Sequence, residues 1–139
     1  MTVSKIVCID DDPFYRDLYV NILETKGFRV VTAGDPEEGL KAIREHHPDL
    51  VTLDVMMPES QGVFDGYGLL KRLRDEPETA NLPVIMISAL GDREDAEHGL
   101  KVGARAYLPK HEMTPDGLVE MIADILSEKS EKAENAPEK

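Results

Sequence analysis

Short apolar runs of strand length alternate along the chain with longer segments whose apolar residues recur at helical spacing. KIVCID, residues 5–10, reads as a buried strand, and the segment 13–26 then sets Phe14, Leu18 and Ile22 four apart, one face of a helix. Asp12 followed by Pro13 fits an N-cap with proline in the first turn, and Gly27 fits a helix stop. FRVVTA (28–33) is the second expected strand, and residues 36–46 the second helix, with Leu40 and Ile43 inward. DLVTLD (49–54), a helix over 67–75, PVIMIS (83–88), a helix over 92–101 and ARAYLP (104–109) continue the series. A last helix over 115–128 carries Leu118, Met121, Ile122, Ile125 and Leu126. Strand–helix units in such a series predict an α/β protein with a parallel sheet, helices on both faces and right-handed crossovers.

Sheets of this kind bind ligands beyond the carboxyl ends of their strands, so the residues standing there matter most. The first strand ends in Asp10 and Asp11, the third in Asp54 and the fourth in Ser88, and Lys110 follows the fifth. Singly, each has an ordinary reading: a solvated cap, a turn residue, a helix cap, a surface lysine. Together they fall at one edge of one sheet. If the first and third strands are neighbours, three carboxylates meet, and they do not all stay ionised without a cation. A hard cation held by oxygen ligands is the economical solution, and Mg²⁺ favours one or two carboxylates, a backbone carbonyl and several waters. Asp10 and Asp11 then read as metal ligands, and Asp12 as a helix cap.

Composition narrows the partners. The 139 residues suit one domain, and 28 acids against 16 bases give a net charge of −12. That balance disfavours nucleic acid and anionic membrane as direct partners. No apolar run approaches the roughly 20 residues of a membrane span, and no secretory leader is visible. Cys8, the only cysteine, reads as a small buried residue, and a cytoplasmic location is expected. His46, His47, His98 and His111 show no zinc-ligand spacing.

With IVCIDDDPFYR (6–16), PDLVTLDVMMP (48–58), LPVIMISAL (82–90) and GARAYLPK (103–110), the chain resembles the receiver domains of two-component response regulators over about residues 4–127. The resemblance implies a flavodoxin-like three-layer sandwich whose five parallel strands lie in the order 2-1-3-4-5 with five helices. It implies Asp54 as phosphoacceptor, Asp11 binding Mg²⁺ directly, Asp10 largely through water, and the backbone carbonyl of Met56 completing the protein ligands. Ser88 would bond a phosphoryl oxygen, Lys110 would pair with Asp54 and then with the phosphoryl group, and Tyr107 would be the switch aromatic. The implied partners are a histidine kinase or phosphotransfer protein and a protein target contacting residues 92–127, with the chain a monomer or weak dimer.

Two places depart from the family pattern. PESQGVFDG (58–66) lengthens the loop before Asp65-Gly66, and Val63 and Phe64 stand in it as apolar residues. The family usually has a cis proline after the lysine, whereas here the order is Pro109-Lys110-His111. A cis bond before His111 would cost about 2.5–4 kcal/mol, so a trans loop that aims Lys110 differently is expected. Met56 and Leu90, both apolar, flank the implied approach of hydrolytic water, so slow self-dephosphorylation is expected. The charged segment 128–139 is expected to be a disordered tail after a domain over 1–127, with no effector domain following.

The expected function is a stand-alone signalling module, not an enzyme acting on other substrates. A phosphorelay intermediate is the alternative within the class. A metal-dependent aspartyl-phosphate phosphohydrolase usually has an aspartate where Met56 stands, which argues against it. A degenerate scaffold is disfavoured by the intact Asp10, Asp11, Asp54, Ser88 and Lys110.

Overall fold

In the computed structural model, which describes residues 3–55, 65–89 and 93–134, the strands β1 (Lys5–Ile9), β2 (Arg29–Ala33), β3 (Leu50–Leu53), β4 (Val84–Ser88) and β5 (Ala106–Pro109) form one sheet. The helices are α1 (Pro13–Thr25), α2 (Pro36–His46), α3 (Gly66–Asp75), α4 (Arg93–Val102) and α5 (Pro115–Glu134). All strand pairs are parallel, in the order β2-β1-β3-β4-β5. This is the expected flavodoxin-like arrangement. In register, Val7 sits between Val31 of β2 and Val51 of β3, so the order reverses at β1 and β3.

The apolar runs become strands because each is buried on both faces, as central parallel strands are. Alternation sorts their side chains into two cores. Val7, Ile9, Val51, Leu53, Val84 and Met86 pack with α2 and α3 through Leu40, Ile43, Leu69, Leu70 and Leu73. Ile6, Cys8, Leu50, Ile85 and Ile87 pack on the other face with Tyr19, Leu23, Leu118 and Ile122 of α1 and α5.

Local chemistry starts the helices. The Asp12 carboxylate accepts from the Phe14 amide at 2.9 Å, and Asp35 from Glu38 at 2.8 Å, with Pro13 and Pro36 in the first turns. Asp65 caps α3 by accepting from Gly68 at 2.8 Å. A Cβ at Gly66 would stand 2.6 Å from Val55 Cα and 2.9 Å from the Asp54 carbonyl oxygen. Glycine there lets the start of α3 lie against the backbone that carries Asp54. Gly99 likewise brings α4 onto Met86, whose sulfur would be 2.3 Å from a Cβ.

Three expectations need correction. Phe14 does not face inward: it is 66% exposed, and α1 instead buries Tyr19, Ile22 and Leu23, with Leu18 and Tyr15 half-buried. The strands are shorter than their apolar runs, so Asp10 and Asp54 stand just past β1 and β3. The last helix does not stop at 128 but runs to Glu134, because EKSEKAE continues with good helix formers although its apolar spacing has ended. Val63 and Phe64 lie outside the described residues.

Candidate functional site

The sheet ladder delivers two aspartates side by side. The Asp54 amide donates to the Ile9 carbonyl at 2.9 Å and the Asp10 amide to the Ala33 carbonyl at 3.0 Å, extending strand pairing one residue past each strand. Both carboxylates are buried, whereas Asp11, on the turn into α1, is exposed. One oxygen from each of Asp10, Asp11 and Asp54 lies within 4.8 Å of the others. Three hard, anionic oxygen donors at that spacing, one open to solvent, fit a divalent cation such as Mg²⁺. Met56, whose carbonyl the resemblance adds as a ligand, lies outside the described residues, as does Leu90.

Lys110 reaches into this cluster. Its ammonium stands 2.9 Å from Asp10 Oδ2 and 3.0 Å from Asp54 Oδ2, and its side chain is only 11% exposed. No peptide bond among the described residues is cis, and residues Lys110–Glu112 form a 3₁₀ turn. The trans loop therefore does not turn the lysine away from the acids. Burial pulls the Lys110 pKa down, but hydrogen bonds and charge from Asp10 and Asp54 outweigh it, and the net displacement is upward.

Asp10 is held from several sides. Its Oδ1 accepts from the Asp12 amide at 2.9 Å, and its Oδ2 accepts from the Tyr19 hydroxyl at 3.4 Å as well as from Lys110. Arg16 donates to the Asp10 carbonyl oxygen at 2.7 Å, fixing the turn. Burial raises the Tyr19 pKa, with the Asp10 charge adding to it. Tyr15, Arg16 and Tyr19 were not singled out from the sequence as site residues. Their signal was there: tyrosines at i and i+4 directly after the aspartate run face the same side of α1.

Ser88 ends β4, fully buried, opposite Pro109 in register. Tyr107 pairs with Met86 across β4 and β5 and packs, half-buried, against the core beneath α2 and α3. The ring of His98 meets that of Tyr67 edge-on at 4.7 Å, linking α4 to α3. The structure thus brings Asp10, Asp11, Asp54 and Lys110 together, sets Ser88 on the same edge of the sheet, and keeps Tyr107 on a separate face.

Known proteins resemble the chain over most of its length. A family model described as the response regulator receiver domain matches residues 6–123. The "Probable transcriptional regulator ycf27" of Cyanophora paradoxa is 43% identical over 107 residues, 77% of this chain and 42% of that protein. The "DNA-binding dual master transcriptional regulator RpaA" of Synechocystis sp. is 38% identical over 123 residues, 88% of this chain and 48% of that protein. The chain spans less than half the length of these two relatives. A putative response regulator from Chloroflexus aurantiacus is 34% identical, with a TM-score of 0.82 and coverage of 91% of this chain and 99% of that one. A CheY-like receiver domain protein from Methanospirillum hungatei is 27% identical, with a TM-score of 0.83 and coverage of 94% and 99%.

Proposed function

Because the chain belongs to the response regulator receiver domain family, we propose that Asp54 accepts a phosphoryl group from a phosphohistidine on a histidine kinase or phosphotransfer protein, and that the change is passed to a protein target. The observation that carries this reading is the Lys110 ammonium shared between Asp10 and Asp54 beside a third carboxylate, Asp11. A carboxylate oxygen of Asp54 attacks phosphorus, the phosphorus–nitrogen bond breaks, and the imidazole leaves with the electron pair and takes up a proton. Such a transfer asks the protein for alignment and charge neutralisation more than for covalent assistance. Mg²⁺, held by Asp10, Asp11 and Asp54, would neutralise charge on the phosphoryl oxygens. Lys110 turns from Asp54 to the phosphoryl group, and the Ser88 hydroxyl bonds one of its oxygens.

The acyl phosphate carries close to two negative charges where the Asp54 carboxylate carried one, at an edge that is already acidic. We assign the output to residues 92–127, where Tyr107 lies, and to a protein contact, because a net charge of −12 disfavours nucleic acid as a direct partner. RpaA is named as DNA-binding; that property belongs to a protein about twice as long.

Acetyl phosphate with Mg²⁺ is expected to label the protein at Asp54 alone, read by mass spectrometry after borohydride trapping. Labelling should vanish with chelator, fall severalfold in Asp11→Ala and be absent in Asp54→Asn. Undiminished labelling of Asp54→Asn would refute the assignment. For the output surface, amide exchange should change within 92–127 on adding beryllofluoride, and change restricted to α1 and α2 would contradict it.

A further inference from the structure

The Lys110 ammonium has three donor directions, and two end on Asp10 Oδ2 and Asp54 Oδ2. On its remaining side lies the ring of Tyr15, with the centroid 3.9 Å from Nζ. That distance is well inside the range at which an ammonium is attracted to an aromatic face. The side chain is 11% exposed, so little water competes for the third direction. From this geometry we infer that Tyr15 is a positioning residue for phosphoryl transfer, its ring holding the Lys110 ammonium at the meeting point of Asp10 and Asp54.

The ring is itself well fixed. Tyr15 sits in the first turn of α1, behind the Asp12 cap and Pro13. Phe14 meets it edge-on at 5.3 Å, Tyr19 lies at 6.1 Å in a tilted contact, and it packs against the core beneath α1 and α5. Lys110 is less constrained from its own side: it opens a three-residue 3₁₀ turn, and the next residue is His111. A long, rotatable stem on a short turn has many ways to aim. The two carboxylates alone do not select one, because Asp54 is the group that changes when phosphorylated. An aromatic face carries no proton to lose and no site to phosphorylate. It keeps one direction of the ammonium fixed while the bond to Asp54 is exchanged for one to the phosphoryl oxygen.

The inference rests on the proposed phosphotransfer, and its test has two readouts. Tyr15→Phe keeps the face, Tyr15→Leu removes it, and Tyr15→Met removes it at similar length should the leucine variant fold poorly. The first readout is the initial rate of labelling by acetyl phosphate with Mg²⁺. Tyr15→Phe should stay within about twofold of wild type, and Tyr15→Leu or Tyr15→Met should fall about three- to tenfold. The second needs no phosphodonor: the Lys110 ε-methylene protons should show an upfield ring-current shift in wild type and Tyr15→Phe that is lost in Tyr15→Leu or Tyr15→Met. A wild-type Lys110 without that shift overturns the inference. So does a Tyr15→Leu rate equal to wild type, and so does a Tyr15→Phe rate as low as that of Tyr15→Leu, which would assign the effect to the hydroxyl. Failure of wild type to label at Asp54, with the ring-current shift present, would strike the proposed function while leaving the Tyr15–Lys110 contact standing.

Discussion

Lys110→Met is expected to lower folding stability by about 3–5 kcal/mol, the usual cost of removing one partner from a buried ion pair. Methionine keeps most of the stem, so packing loss is a small part of the effect. What is lost is an ammonium bonded to the carboxylates of both Asp10 and Asp54, whose side chains are 1% and 4% exposed against 11% for Lys110. The two carboxylates then face each other at the end of neighbouring strands, with the exposed Asp11 adding to the repulsion. Millimolar Mg²⁺ should recover part of the loss, and should stabilise the variant more than wild type. Urea unfolding of both proteins, with and without Mg²⁺, measures this. A loss below about 1 kcal/mol would show that the pairing barely offsets the desolvation of its own charges. Arg44–Glu76, whose side chains are 49% and 33% exposed, provides the contrast: breaking it should cost no more than about 1 kcal/mol.

Alkaline pH is expected to weaken the fold early, beginning near pH 9. Burial pushes the Cys8 thiol up from 9.0 to about 12. An unfolded chain releases that proton near 9.0, while the folded chain holds it until about 12. Between those values the unfolded state binds fewer protons, so stability falls as pH rises, by about 4 kcal/mol across the window for Cys8 alone. Tyr19 acts in the same direction above its ordinary 10.0, because burial and then the Asp10 charge disfavour its phenolate. Lys110 does so too: with its pKa raised above 10.5, its contribution is complete below that value and lost above it. Urea midpoints taken between about pH 8 and pH 11 should fall steadily in wild type and less steeply in Cys8→Ala. The comparison is of slopes, since removing the sulfur has its own packing cost. Identical slopes below pH 10 would remove Cys8 from the account.

The strands and the carboxyl edge were legible in the sequence for related reasons. Strands buried on both faces, such as Ile6–Ile9 and Val84–Ile87, cannot hide their apolar character. A charge that directly follows such a run has to stand at the strand end, which is how Asp10 and Asp54 could be placed. Rotation of α1 was not legible in the same way. The set Phe14, Leu18, Ile22 and the set Tyr15, Tyr19, Leu23 both satisfy a four-residue repeat, and the choice between them is made by the turn through Asp12 and Pro13, not by periodicity. Lys110 shows the same limit in another form. Its position after β5 could be read, but its aim depends on the 3₁₀ turn at 110–112 and on an aromatic ring from the other end of the chain.

The sorting of side chains onto the two faces of the sheet has a consequence for how far local changes spread. The partners of the acid cluster, Tyr15 and Tyr19, belong to the layer of α1 and α5, whereas Tyr107 belongs with Met86 in the opposite layer. Between them stands a five-stranded partition whose central strands are packed on both sides. Side chains in one layer cannot push directly on those in the other. A message from Asp54 to Tyr107, which the family resemblance makes the switch aromatic, therefore goes round the carboxyl edge of the sheet and not through its packed centre. The natural place is the end of β4, where Ser88 lies beside Pro109 and the strand's own backbone is common to both layers. The sheet works here as an insulating wall whose way past lies at its open edge, beside Ser88.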